Sequence, residues 1–123
     1  MKILKLLFAI LFVFAITQKT AAQISVDKAD RGINTEKIQV SGSCEMDKHR
    51  IEKAAKSVSA VKSAVWDLDS KILTVKYDSY KTNTIDLVQQ KVADKGNDTE
   101  KYKASDEVYN KLPECCHYRT LKE

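Results

Sequence analysis

The order of apolar patterns along the middle of this chain restricts its fold more than any other feature. Ile38 and Val40 alternate with polar residues, as in a half-buried strand, and Ser41-Gly42-Ser43 interrupts that run. Helical spacing follows, in a stripe that consists of Ile51, Ala54, Ala55 and Val58. This spacing predicts a helix from about Asp47 to Val58.

A β-hairpin is predicted next. The runs Val61 to Leu68 and Lys71 to Tyr77 both alternate between apolar and polar residues, and Asp69-Ser70 between them is a turn sequence. Strands of this kind have one apolar face, so we expect a second layer to cover that face of the sheet.

A second helix and a last strand complete the pattern. Thr84 caps the helix and Gly96 ends it. The apolar stripe of this helix consists of Ile85, Val88 and Val92. A short fourth strand is predicted from Thr99 to Lys103. The resulting order is the split βαβ arrangement, an α+β fold with a four-stranded antiparallel sheet and two helices on one face.

The N-terminus has the composition of an export signal. Residues 1–22 combine basic Lys2 and Lys5 with an apolar run and with small residues before Gln23, which is typical of a secretory signal peptide. Cleavage would place the mature protein in the periplasm or outside the cell, in an oxidising compartment. An uncleaved N-terminal anchor is the alternative.

The remainder of the chain divides into three segments. Residues 23–35 have no sustained apolar period and are predicted to form a flexible leader. Residues 36–103 form the single predicted domain, and residues 104–123 form a C-terminal tail. About 100 residues suffice for one apolar core, so we expect one domain.

The charge of the chain argues against a nucleic-acid partner. The formal net charge is +4, and it falls to +1 when Lys2, Lys5 and Lys19 leave with the signal peptide. The remaining lysines are scattered among acidic residues and form no basic stripe with interleaved aromatic side chains. We expect a monomer or a weak dimer that does not bind nucleic acid.

The three cysteines are the candidate functional residues. Cys44 stands alone in the Gly-Ser loop, whereas Cys115 and Cys116 are adjacent and precede His117. Thiolate and imidazole groups are ligands for Cu(I) and Zn(II). Three thiols cannot all pair within one chain, so the odd one stays free, binds metal or links two chains. A free Cys44 and a disulfide from Cys44 to one tail cysteine remain open alternatives.

The sequence contains no recognisable catalytic motif. It has no Ser-His-acid set with a nucleophile elbow, no phosphate-binding loop and no dinucleotide-binding glycine pattern. A Cys-x-x-Cys redox pair is missing because residue 47 is Asp. We therefore expect a protein that is not an enzyme.

The first loop and its flanking elements resemble a known family. The stretch KIQVSGSCEMD from Lys37 to Asp47, RIEKA from Arg50 and the strand from Val61 are similar to the heavy-metal-associated domain of copper chaperones and periplasmic mercury-binding proteins. The resemblance covers residues 36–102. It implies a ferredoxin-like βαββαβ fold, a soft metal ion as the bound group, and a metal transporter or other membrane protein as partner.

The loop departs from the family pattern at one position. The family has two cysteines separated by two residues, both of which bind metal; Cys44 matches the first and Asp47 stands at the second. One thiolate and one carboxylate mix soft and hard ligands, so the loop alone is a poor Cu(I) site. We therefore expect the tail to complete it. The candidate ligands are Cys44, Met46, Asp47, Cys115, Cys116 and His117.

This ligand set predicts an exported carrier, chaperone or scavenger of Cu(I) or Zn(II). The alternative is a degenerate domain that binds no metal and serves as an interaction module. In the ferredoxin-like order the last strand ends far from the first loop, so the tail must turn back. The residues 102–112 can span about 30 Å when extended, which makes this reach possible.

Overall fold

A computed structural model describes residues 32–121 of the chain. The predicted signal peptide, residues 1–22, and residues 23–31 of the predicted leader lie outside the described residues. The first strand begins at Ile33, three residues before the predicted domain boundary. Its early start is due to pairing, because Ile33 lies opposite Asp78 and the following residues continue that ladder although their side chains are exposed.

The described chain contains three strands, three helices and two short 3-10 turns. The elements are β1 (Ile33–Gln39), α1 (Glu45–Lys56), β2 (Val61–Trp66), β3 (Ile72–Asp78), α2 (Thr84–Asp94) and α3 (Asp106–Asn110). The 3-10 turns span Glu114–Cys116 and Tyr118–Thr120. Within residues 32–121, none of the helices has the length and apolar character needed to cross a membrane.

The sheet is antiparallel and has the order β1-β3-β2. Ile38 pairs with Leu73 in the ladder between β1 and β3, and Ala64 pairs with Val75 in the ladder between β2 and β3. The α+β class, the antiparallel pairing and the strand order therefore agree with a ferredoxin-like fold. The predicted fourth strand, residues 99–103, is not formed: a single bridge joins Thr99 to Val40 at the outer edge of β1.

The fourth strand is absent because the backbone groups of this segment bond locally. The Thr99 N–H donates to the Tyr102 carbonyl over 2.7 Å, and the Asp98 carboxylate accepts the Ala104 N–H over 2.8 Å. On the facing edge, the Gln39 N–H donates to the Glu100 side chain over 2.5 Å instead of to a strand. The chain therefore turns beside the end of β1 and does not run back along it.

The two longer helices cover one face of the sheet. Trp66 and Ala64 of β2 are fully buried, whereas Val65 between them is 58% exposed, so the opposite face is open to solvent. The core contains Ile38, Ala64, Trp66, Leu73 and Val75 from the sheet, Ile51, Ala54, Ala55, Val88 and Val92 from the helices, and Val40 and Val58 from the segments just after β1 and α1. Both predicted stripes face the core, although Ile85 of α2 is only partly buried against it and Val58 follows the end of α1.

Candidate metal centre

The loop before α1 is fixed against the core by a glycine. A Cβ on Gly42 would lie 2.9 Å from the Trp66 ring and 3.0 Å from the Asp47 Cβ, so no other residue fits without displacing them. The Trp66 indole N–H donates to the Val40 carbonyl over 3.1 Å, which holds the end of β1 at the same place. These contacts present Cys44 at the start of α1.

Cys44 is the N-cap residue of α1 and its backbone is extended, with a φ of −150°. Its carbonyl accepts the Lys48 N–H over 3.1 Å, the first bond of the helix. The thiol therefore lies beside the unpaired N–H groups at the positive end of the helix, where a thiolate is favoured.

The three thiols of the chain meet at this point. Cys44 Sγ lies 3.1 Å from Cys116 Sγ and 3.5 Å from Cys115 Sγ, and the two tail sulfurs are 3.8 Å apart. All three are free cysteines, of which Cys116 is buried, Cys44 is half-buried and Cys115 is exposed. Residues 71 positions apart in sequence thus form one cluster.

The spacing of the sulfurs fits a single metal ion. An ion with metal–sulfur bonds of about 2.3 Å and tetrahedral angles separates its sulfur ligands by about 3.8 Å. The observed separations of 3.1, 3.5 and 3.8 Å reach that geometry with shifts of less than about 1 Å. The donor set is three soft thiolates, which suits Cu(I) and also Zn(II).

The tail reaches the loop by a short path. The segment that follows Thr99 begins beside the end of β1, so the long return predicted from a fourth strand is not needed. Ser105 caps α3 by accepting the Val108 N–H, and the helix ends before Pro113. The 3-10 turn after Pro113 then carries both tail cysteines to the loop, where Ser43 Oγ donates to the Cys115 carbonyl over 2.6 Å.

The end of the tail is anchored by Arg119. Its guanidinium donates to both oxygens of Asp98, over 2.7 and 3.1 Å, and to the Ala104 carbonyl over 2.7 Å. Burial raises the pKa of the Asp98 carboxyl, but the bonds from Arg119 outweigh it and the pKa lies below its usual value. The Tyr118 hydroxyl donates to the Gly96 carbonyl and accepts the Asp98 N–H, over 2.7 and 2.9 Å. The end of the tail is thus hydrogen-bonded to Gly96 and Asp98, which precede the turn at Thr99, and to Ala104, which follows it.

Asp47 is fully buried and its carboxylate is engaged by hydrogen bonds. One oxygen accepts from Arg50 over 2.6 Å and from Asn97 over 2.8 Å. The other accepts the Ser43 N–H over 2.7 Å and lies 3.7 Å from Cys44 Sγ. In the structure Asp47 therefore braces the loop and sits at the edge of the thiol cluster, outside the group of three sulfurs.

Arg50 and Asn97 are functional candidates that the sequence did not indicate. Arg50 joins the Asp47 carboxylate to the cluster, because its second nitrogen lies 3.5 Å from Cys116 Sγ. Asn97 is fully buried and also donates to the Ser41 carbonyl over 2.9 Å. Arg50 follows Asp47 by three residues, and side chains at this spacing lie on one helix face, so the sequence could have predicted their ion pair. The contact between Asn97 and Asp47 could not be predicted, because it depends on the tertiary fold.

Cys44 and Cys116 lie in different environments, which shift the pKa values of their thiols in opposite directions. Burial raises the pKa of Cys44, but hydrogen bonds from Cys116, from the Asp47 N–H and from Cys115 outweigh it, so the pKa lies below the usual value. Burial also raises the pKa of Cys116, and there the bond from Arg50 does not compensate for it. Cys44 is therefore the first thiol of this pair to ionise.

Met46 and His117 take different positions relative to the cluster. Met46 is half exposed and its sulfur lies 3.6 Å from Cys115 Sγ, so a thioether stands beside the exposed thiol. His117 Nε2 lies 3.0 Å from the Leu112 carbonyl, and its ring packs on Tyr109 with centroids 5.1 Å apart. The group of mutually close ligand atoms contains the three thiols and not His117.

Comparison with solved structures gives a match for the domain. A structure titled "CopZ metallochaperone" aligns with a TM-score of 0.51 and 28% sequence identity, over 54% of this chain and 98% of that chain. The resemblance to heavy-metal-associated domains is confirmed. No protein-family model matches the chain, and no curated protein matches it significantly. The similarity and the thiol cluster together point to metal binding or metal chaperoning.

Proposed function

We propose that this protein is an exported carrier of a soft metal ion, and that Cys44, Cys115 and Cys116 bind the ion together. The observation that carries the proposal is the approach of the three sulfurs to within 4.8 Å of one another. One shared metal ion would account for this convergence of thiols from a loop and a distant tail. The similarity to a metallochaperone supports the same role.

Cu(I) is the cargo that the donor set favours. Zn(II) usually takes four ligands and accepts a carboxylate, but both oxygens of Asp47 are already engaged by Arg50, Asn97 and Ser43. Cu(I) prefers soft sulfur donors, and the Met46 thioether beside Cys115 adds one within reach of the cluster. Zn(II) is the competing cargo.

Export rests on the sequence of residues 1–22, which has the pattern of a cleaved signal peptide. A carrier in that compartment would pass its ion to a membrane metal transporter or another membrane protein. The role requires binding and release and no chemical conversion, so we propose that the protein is not an enzyme.

The proposal is tested by metal stoichiometry. Reduced mature protein is loaded with Cu(I) or with Zn(II), desalted and analysed for bound metal. We expect about one Cu(I) per chain, at higher affinity than Zn(II), and a loss of bound metal in the Cys115→Ser, Cys116→Ser double variant. His49→Ala, an exposed change on α1, is the matched control and keeps full binding.

Two results would contradict the proposal. Equal, near-zero binding by the reduced protein and the double variant would favour a domain that binds no metal and acts as an interaction module. A chain that binds metal only as a disulfide-linked dimer would show instead that the odd thiol joins two copies. Non-reducing electrophoresis of the same samples distinguishes these two results.

A further inference from the structure

Cys44 and Cys116 are the closest pair in the thiol cluster, with 3.1 Å between their sulfur atoms. We propose that this pair is also an oxidation site, at which a small external disulfide such as glutathione disulfide converts the two thiols into an intramolecular disulfide that closes the site to metal. The claim that the disulfide prevents metal binding rests on the proposed function, whereas the claim that the disulfide forms does not.

The geometry favours this pair over the adjacent cysteines. A disulfide has an S–S length of about 2.05 Å, so the two sulfurs need to approach by about 1 Å. Cys115 and Cys116 are 3.8 Å apart, and a bond between sequence neighbours would strain the backbone of the 3-10 turn. The bond from Ser43 to the Cys115 carbonyl keeps the turn against the loop while the sulfurs move.

Within this pair, exposure sets the order of the steps. Cys116 is fully buried, whereas Cys44 is half-buried and can meet a dissolved disulfide. Cys44 thiolate attacks one sulfur of glutathione disulfide, which forms a mixed disulfide and releases one glutathione thiolate. Cys116 thiolate then attacks the Cys44 sulfur and releases the second glutathione.

The exchange balances in atoms and electrons. Two protein thiols give up two electrons and two protons, and one glutathione disulfide becomes two glutathione molecules. Cys115 takes no part in the exchange and is left unoxidised. The bond consumes two of the three soft ligands, so the oxidised protein has one thiol left at the site.

This chemistry would couple the metal site to the redox state of its surroundings. Disulfide exchange is favoured in oxidising compartments, which is where the N-terminal sequence would send the chain. A bound ion occupies the sulfur lone pairs that the exchange needs, so a metal-loaded protein should resist oxidation. Metal binding and disulfide formation therefore exclude each other, because both use the same sulfur atoms.

Intact mass measurement tests the bond without any metal. Reduced, metal-free mature protein is incubated with excess glutathione disulfide and then alkylated with iodoacetamide. We expect a mass loss of about 2 Da and a single alkylated thiol, which fragmentation assigns to Cys115. Cys115→Ser should lose the same mass and take up no alkylating agent.

Several outcomes would overturn the oxidation site. They are three alkylated thiols in the wild-type protein, two in the Cys115→Ser variant, a stable glutathione adduct on Cys44, and a disulfide-linked dimer. Each shows that Cys44 and Cys116 do not join within the chain.

A second measurement tests the effect on metal. Oxidised and reduced samples are challenged with Cu(I) held by bicinchoninate, and transfer is followed by the colour of the chelate. We expect the oxidised protein to take up no Cu(I), and to recover uptake after reduction and desalting. Equal uptake by both samples would overturn the exclusion of metal. If even the reduced protein fails to bind, the proposed function is wrong, while the mass result still decides whether the disulfide forms.

Discussion

Asp47 is the residue that makes this loop different from a two-cysteine loop. A buried carboxylate is costly unless it is hydrogen-bonded, and Asp47 is bonded to Arg50, Asn97 and Ser43. Its position alone predicts a metal ligand. Its partners show that it holds the loop and directs Arg50 toward the Cys116 sulfur. In this structure Asp47 therefore braces the loop beside the thiols.

Replacing Asp47 should destabilise the domain. In Asp47→Ala, the Arg50 guanidinium and the Asn97 amide lose their shared acceptor in a buried place. The Arg50 side chain is 19% exposed, so water partly solvates its unpaired charge, and we expect the free energy of unfolding to fall by about 1–3 kcal/mol, the cost of leaving buried polar groups without a partner. Urea denaturation measures it.

A matched control for this change is Glu107→Ala. Glu107 forms an exposed pair with Lys111 on α3, and removing it should change the free energy of unfolding by less than about 0.5 kcal/mol. If Asp47→Ala and Glu107→Ala have equal effects, Asp47 does not brace the loop.

At the scale of elements, residues 99–103 do not form the strand predicted for them. Periodicity predicts both long helices and the hairpin because those elements bury an apolar stripe or face. Residues 99–103 carry no such pattern, and local bonds of Thr99 and Asp98 replace the fourth strand. Composition alone could not show this, because the bonds depend on where Asp98 meets Arg119 and Ala104. The early turn is what brings the tail to the loop.

The anchor of the tail should matter for metal affinity although it contains no ligand. In Arg119→Ala, the bonds to Asp98 and Ala104 are lost and the tail is free to move from the loop. The effective concentration of the tail thiols at Cys44 falls, so we expect a tenfold or larger loss of Cu(I) affinity. Competition with a chromophoric chelator measures it.

Lys111→Ala is the control for the tail anchor, because Lys111 is exposed and its ammonium group pairs with Glu107 at the surface. It should keep wild-type affinity. Circular dichroism should show the same helix and strand content in both variants. An Arg119→Ala protein with unchanged affinity would mean that the cysteines are held at the loop without this anchor.

At the scale of the whole molecule, a metallochaperone-like domain carries a thiol cluster that its own tail completes. The sequence was sufficient to predict the α+β class, the antiparallel hairpin and a thiol cluster shared between loop and tail as a hypothesis. It could not give the distances, because Cys44 and Cys115 are separated by the entire domain and meet only through tertiary contacts. The same limit applies to Asn97, whose amide reaches Ser41 and Asp47 across 50 or more residues.

The number of sulfur atoms around the bound ion tests this account most directly. X-ray absorption spectroscopy at the copper edge, on reduced protein loaded with one equivalent of Cu(I), counts those ligands. We expect sulfur scatterers from Cys44, Cys115 and Cys116, with no nitrogen or oxygen in the first shell, and one sulfur fewer in Cys116→Ser. A spectrum with nitrogen or oxygen ligands, or an unchanged sulfur count in Cys116→Ser, would contradict a site shared between the loop and the tail.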